Sequence, residues 1–196
     1  MTDTQKKPLW KNELVWLFLI TSGLFAILYS KFILGGYAYV FTDTGADTMQ
    51  INYAQYGLFS SLFRSGESGY VLQAGLGMDV SSYYPAYLIP YNLLILLAPQ
   101  RLLPWAVLAS AYLKMITISL VGYLFYRKLM QDGIGTMAAA LAWTFSGYVI
   151  LWGQHYGFCT CMALFTVFMY FLQCYLNGEQ RWKSAGLVLT VTMLLI

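Results

Sequence analysis

Charge is what this sequence has least of. Asp, Glu, Lys and Arg make up 10% of its 196 residues, where a soluble domain carries about a quarter, so disorder, a coiled coil and most water-soluble folds are excluded. The net charge of +3 is gathered in a few clusters between long apolar runs. It forms no basic stripe, and nucleic acid is not an expected partner. The cysteines number three, Cys159, Cys161 and Cys174, in or beside apolar runs. An odd count without CxxC spacing suggests neither a disulfide framework nor a zinc site, and they read as packing residues. His155 is the single histidine, which alone makes a poor metal site. Walker, HExxH, GxSxG and Rossmann patterns are missing, so nucleotide-driven transport and hydrolase chemistry lose their usual support.

What is there is apolar: 59% of residues are hydrophobic and 18% aromatic, and the mean hydropathy is +0.60. The reading is an all-α polytopic membrane protein with four to five transmembrane helices. Residues 1–13 form a cytoplasmic N-terminus and 14–34 the first span, an uncleaved anchor in which Lys31 snorkels to the interface. Residues 105–126, 134–152 and 158–176 are three further spans, with aromatic residues near their ends. Residues 185–196 begin a fifth that stops after about 18 Å of helix, short of a hydrocarbon core about 30 Å thick, so the chain is expected to end inside a membrane helix.

Residues 86–98 are apolar but bounded by Pro85 and Pro99 and interrupted by Pro90. They read as re-entrant or interfacial, with Pro90 breaking the helix near its middle. If they do not span, Lys6, Lys7, Lys11, Arg127, Lys128, Arg181 and Lys183 share one side, and Lys31, Arg64 and Arg101 the other. Seven against three satisfies the positive-inside rule and makes 35–104 one long external loop.

A loop of that length is where function is expected. Asp43 and Asp47 stand four apart just outside the first span, where a carboxylate can act as general base or ligate a hard divalent cation. Asp43 with Thr44 and Gly45 is equally a turn signal, and Asp47 can equally cap a helix expected over 50–63. Gly75 and Gly77 mark a close backbone approach or simply a turn. Lys114 lies near the middle of the second span, where a lysine costs about 2.5 to 3.5 kcal/mol. It either neutralises a phosphate or carboxylate in the bundle interior or is paired for structure. His155 sits in the turn 153–157 on the external side, as a substrate or acid–base group or as a polar turn residue. Arg64 and Arg101 offer a grip for phosphate or contact headgroups. Tyr83, Tyr84, Tyr87 and Tyr91 fit sugar stacking or an interfacial belt.

The ordered set of an anchor helix, Phe41-Thr42-Asp43-Thr44-Gly45-Ala46-Asp47-Thr48-Met49-Gln50-Ile51-Asn52-Tyr53, Arg64-Ser65-Gly66, Gly75-Leu76-Gly77 and Tyr84-Pro85 resembles the amino-terminal part of YfhO-type bacterial membrane proteins. These belong to the GT-C class of polytopic glycosyltransferases. The resemblance spans about residues 10 to 130, with the later helices matched by hydropathy alone. It implies a multi-pass protein of the bacterial cytoplasmic membrane. A sugar would arrive on a polyprenyl-phosphate carrier and pass to a cell-envelope polymer such as teichoic acid. It further implies that Asp47 is the loop aspartate of the active site, that Gln50 is the polar residue following it, and that Asp43 ranks second. Arg64, Lys114, His155 and Tyr84 complete the expected substrate contacts. Family members run several hundred residues longer, so a fragment or shortened form is expected. The rival from another class is a transporter-like or flippase-like subunit, with Lys114 and the broken segment 86–98 lining a pathway.

Overall fold

The computed structural model describes residues 12–41, 47–67, 69–72, 77–81, 89–130, 132–179 and 181–195. It is an all-α bundle of a polytopic membrane protein. By length and apolar composition three helical stretches can cross a membrane: Gln100–Leu129, Gly133–Gln154 and Tyr156–Leu176.

The first apolar run folds as two helices, α1 (Glu13–Leu28) and α2 (Ser30–Leu34), joined at Tyr29. Asn12 caps α1 by accepting the Leu14 N–H at 3.1 Å, which satisfies one of the unbonded donors of the first turn. Past the loop entry, a π-helical segment Thr48–Tyr53 runs directly into α3 (Ala54–Ser65). Gly66 ends α3 in the left-handed region at φ 72°, and the Glu67 N–H returns to the Leu62 carbonyl. That turn favours glycine because a Cβ is penalised there. A two-residue hairpin, β1 (Tyr70–Val71) against β2 (Met78–Asp79), is antiparallel with Val71 opposite Met78. Val71 and Val80 pack it onto Phe59, Leu62 and Leu96.

Pro90 begins a helix. The helix α4 (Pro90–Leu97) carries Pro90 in its first turn, where the missing N–H has no intrahelical partner to lose and the fixed φ suits the helix. Its eight residues rise about 12 Å, too little to cross a bilayer. The stretch 82–88 lies outside the described residues.

A 3-10 turn, Gln100–Leu102, leads into α5 (Leu103–Leu129), the central helix, against which α1, α4, α6 and α8 all pack. The third apolar run is broken where a continuous span was expected: α6 (Gly133–Thr144) stops at Phe145, and α7 (Gly147–Leu151) restarts after an extended Ser146. A Ser-Gly pair, here Ser146 and Gly147, is a common cause of such a break. A 3-10 turn, Trp152–Gln154, and His155 then lead to α8 (Tyr156–Leu176), followed by α9 (Arg181–Leu195), which folds back along α8.

Contacts fix the directions. Antiparallel α1 and α5 are joined by Thr21 Oγ1 with Ser119 Oγ at 2.7 Å, Ser22 Oγ with Tyr112 Oη at 2.8 Å, and the Tyr123 hydroxyl donating to the Glu13 carboxylate. That carboxylate lies against Gly133 at the start of α6, where the helix dipole favours negative charge. Lys128 pairs with Glu179 in the turn between α8 and α9 and lies 5.6 Å from the Tyr170 ring. The starts of α1 and α6 and the turn 177–179 therefore gather at one basic end. The loop helices, the break at Phe145 and the turn before α8 gather at the other.

Helices α5 and α8 run parallel with a constant offset: Lys114 meets Tyr156 and Lys128 meets Tyr170, each pair 42 residues apart. The 21 residues of α8 rise about 31 Å, one hydrocarbon thickness, while the 27 of α5 rise about 40 Å. The first eleven residues of α5 therefore stand about 16 Å beyond the start of α8, where they pack against α4. Lys114 lies level with the start of α8.

The Thr21–Ser119 pair is fully buried between α1 and α5. Thr21→Val is expected to lower stability by about 0.5 to 1.5 kcal/mol by stranding the Ser119 hydroxyl, and the double variant with Ser119→Ala by less than the two single losses combined. Unfolding titrations in mixed micelles measure this, and strictly additive losses would show the bond to be absent.

Candidate functional site

Chain turning near a bilayer surface must find donors for its carbonyls without relying on water. Between α7 and α8 that demand falls on residues 153–156, and three separate elements meet it. The Tyr39 hydroxyl donates to the Gly153 carbonyl at 3.2 Å, Thr48 Oγ1 to the Gln154 carbonyl at 3.1 Å, and Lys114 Nζ to the Tyr156 carbonyl at 3.1 Å. Thr160 Oγ1 adds a second donor to Tyr156 at 3.1 Å. In return the Tyr156 hydroxyl donates to the Tyr39 carbonyl. Gly153 sits close to these partners: a Cβ there would lie 3.2 Å from the Tyr39 hydroxyl, which would have to shift by a few tenths of an ångström, and in ordinary contact with Cys159 Sγ at 3.7 Å.

Aromatic rings seal this knot. Tyr56 of α3 stacks on Tyr156 at 5.4 Å and 14° and donates its hydroxyl to Asn92 of α4 at 3.4 Å. Tyr39 lies edge-on to Tyr29 and Phe41. Burial, then the neighbouring Tyr29, pushes the Tyr39 phenol well above its ordinary range, so it stays protonated and remains a donor.

Three residues singled out by sequence adjoin this knot. Asp47 precedes Thr48 at the head of the π-helix, with helical backbone at φ −58° and ψ −39°. Its backbone is not the extended one of a capping aspartate, and the side chain makes no cap hydrogen bond. The Asp47 carbonyl accepts from Asn52 Nδ2 at 3.3 Å. His155 lies between the two gripped carbonyls of Gln154 and Tyr156, half-buried, with Trp152 at 5.6 Å and Phe158 at 5.5 Å. Lys114 is 2% exposed, and its ammonium is turned to a backbone carbonyl, with no carboxylate partner among the described residues. Its hydrogen bond ties the central helix to the turn.

The other expected residues are placed apart or fall outside the description. Gln50 is exposed on the π-helix three residues after Asp47. Arg64 lies at the far end of α3, about 25 Å along the helix from Asp47, beside the Ala98 carbonyl, which also accepts from Ser60 Oγ at 2.7 Å. Asp43, Tyr84 and Gly75 lie outside the described residues. Among the described residues there is no group of three His, Cys, Asp or Glu side chains suited to a metal. The three cysteines are free, Cys159 and Cys174 buried and Cys161 exposed. Tyr39, Thr48, Tyr56, Asn92 and Tyr156 were not singled out by sequence. The one local hint was the Asp47-Thr48 pair, since a small hydroxyl beside the candidate acid is a ready backbone donor. Comparison with protein-family models, with curated protein sequences and with solved structures gave no match.

Because Thr160 still serves the Tyr156 carbonyl, the ammonium is replaceable but the stem is not. Lys114→Met is expected to change stability by less than about 1 kcal/mol, since a buried charge gives way to an apolar group of similar shape. Lys114→Ala should cost about 2 to 4 kcal/mol through the cavity it leaves. Equal losses in an unfolding titration would contradict this division of roles.

Proposed function

We propose that this multi-pass membrane protein is a glycosyltransferase of the GT-C kind, seated in the bacterial cytoplasmic membrane with its basic end in the cytoplasm. It transfers a sugar from a polyprenyl-phosphate carrier to an acceptor hydroxyl on an envelope polymer such as teichoic acid. The observation that carries this reading is the Thr48–Gln154 hydrogen bond. Through it the carboxylate-bearing head of the π-helix is fastened to the turn that carries the imidazole, in the layer where α8 enters the bilayer. A carbohydrate acceptor from the aqueous side and a lipid-borne donor from the membrane meet in that layer.

In this mechanism Asp47 takes the proton of the acceptor hydroxyl as the oxygen attacks the anomeric carbon. The bond from that carbon to the phosphate oxygen breaks, and the electron pair leaves on the polyprenyl phosphate. Holding the base on a pinned helix, not a free loop, keeps it within reach of the hydroxyl it deprotonates. His155, one residue from the same bond, is the group placed to accept or donate at the substrate. Arg64 is too far along α3 to join it, so the leaving phosphate is not assigned to that side chain. Were a divalent cation bound, Asp47 would be a ligand for it together with Asp43, which lies outside the described residues, and its charge would aid departure of the phosphate.

Asp47→Asn keeps the size of the side chain and removes the base. Membranes carrying this variant at normal abundance should transfer labelled sugar from a polyprenyl-phosphate donor to envelope polymer at least about 100-fold more slowly. Undiminished transfer would remove the proposal. If Lys114→Met abolished substrate movement across the membrane while Asp47→Asn did nothing, the transporter-like reading would replace it.

A further inference from the structure

The break in the third apolar stretch has a second consequence, on the bundle's outer face. Where α6 ends and α7 restarts, a groove of about 540 Å³ opens against α8, lined by Trp143, Ser146, Tyr148, Cys161, Met162 and Phe165. A second cavity of about 190 Å³ shares Trp143 and Phe165 with it and continues to Thr166 and Met169, with Phe125 and Tyr126 of α5 as its far wall. The Trp143 indole, which donates to Thr166 Oγ1 at 3.0 Å, stands between the two.

We propose that this groove binds one acyl chain of a bilayer phospholipid. The first argument is depth. Counted from the start of α8, Cys161 to Phe165 lie about 8 to 14 Å down the helix and Met169 about 20 Å. The two cavities therefore run along the helix axis from about 8 to about 20 Å below the start of α8, reaching past the middle of a core about 30 Å thick. The second argument is orientation. Tyr148, Trp152 and Phe158 stand at the upper end of the groove, exposed at 44%, 46% and 41%, with Phe158 at 5.4 Å from Trp152 and 6.3 Å from Tyr148. Aromatic residues of this kind belong at headgroup level, so the apolar slot hangs beneath an interfacial rim, as an acyl chain hangs beneath its headgroup.

The third argument is what the walls can hold. The side chains give water almost nothing to bond. Ser146 Oγ is turned away from the open space and buried, Cys161 is a weak donor, and an ordered water needs two to four polar partners, which these walls do not offer. An apolar cavity that opens sideways into hydrocarbon takes the apolar chain beside it, gaining dispersion contacts that an empty slot forfeits. The site needs no particular chemistry at Asp47 and stands whether or not the chain transfers sugar.

The test uses the whole chain in phosphatidylcholine vesicles doped with a phosphatidylcholine carrying a mid-chain diazirine. After photolysis, labelling of the peptide with Cys161 to Phe165 should exceed by at least fivefold that of the peptide with Val188 and Leu189. Those two residues are also exposed, at 66% and 57%, and they report ordinary lipid contact. Met162→Trp and Cys161→Phe fill the groove from the α8 wall, and either should bring its labelling down to the α9 level while the protein inserts and unfolds as before. Equal labelling of the two peptides overturns the proposal, as does undiminished labelling in both filled variants. So does disulfide-linked dimer formed through Cys161, which would make a second copy the occupant. Displacement of the probe by polyprenyl phosphate at a concentration where added phosphatidylcholine displaces none would overturn it too, by assigning the slot to a different lipid.

Discussion

The carbonyls of Gly153, Gln154 and Tyr156 set the terms for the loop end of this molecule. A helix satisfies its own backbone, but a turn between two membrane-capable helices cannot, and each unpaired carbonyl there costs a large part of a hydrogen bond's desolvation. The donors come from Tyr39 after α2, Thr48 at the head of the π-helix and Lys114 in the central helix. The loop is therefore not a lid resting on the bundle. Its first and second segments are stitched into the bundle by the same turn, and the stack of Tyr56 on Tyr156 brings α3 and α4 along. Because the grips converge on four consecutive residues, they are expected to couple: loosening one lets the turn shift under the others.

The parallel offset of α5 and α8 explains how a lysine is tolerated in so apolar a helix. The shared 42-residue spacing sets α5 eleven residues ahead of α8 at the loop end, with α8 running about five residues past α5 at the other. Lys114 is thereby brought level with the first turn of α8, within reach of the Tyr156 carbonyl. Its four-carbon stem still packs among buried residues while the ammonium reaches the turn.

The helical runs were legible because hydropathy over about 20 residues is a strong signal; their interruptions were not. Ser146 and Gly147 weigh little in an average over the third apolar stretch, so a break that shapes both the turn and the groove was read as continuous helix. Pro90 was read as a breaker because the pattern of apolar residues around it ignores position, while the same ring is favourable in a first turn. Site residues divided along similar lines. Asp47, Lys114 and His155 stood out because ionisable groups are rare in this chain, and the fold sets all three beside one turn. Arg64 stands out for the same reason and lies at the other end of its helix from Asp47, beside the Ala98 carbonyl, since charge carries no information on depth or direction. Tyr39 and Tyr156 are inconspicuous because tyrosine, with 17 copies, is too common here for any one to stand out.

The distribution of polarity gives the membrane reading a footing independent of hydropathy. Residues such as Thr21, Ser119, Thr136 and Thr144 are fully buried between helices, while Ile27, Leu34, Leu151 and Leu176 are 71%, 85%, 71% and 68% exposed. In water this arrangement would be wasteful, because it spends the interior on small hydroxyls and gives the large aliphatic groups to solvent. In hydrocarbon the logic reverses: the outside offers no penalty to leucine, and helices associate by close approach at small residues and by short hydroxyl bonds. Thr136, Thr144, Thr160 and Thr166 each return a hydroxyl to a carbonyl four residues back, or in Thr136 to the Asp132 carbonyl of the cap. Each hydroxyl is thus satisfied within its own helix and leaves a methyl to the neighbour. Gly122 meets the Thr166 methyl at a built Cβ distance of 3.7 Å, which lets α5 and α8 approach closely along the seam that fixes their register. The same seam that sets the depth of Lys114 is therefore drawn by the smallest residues in the interface, and a bulky side chain at Gly122 would move the grip on the turn some 12 Å away along the helix, at 1.5 Å per residue.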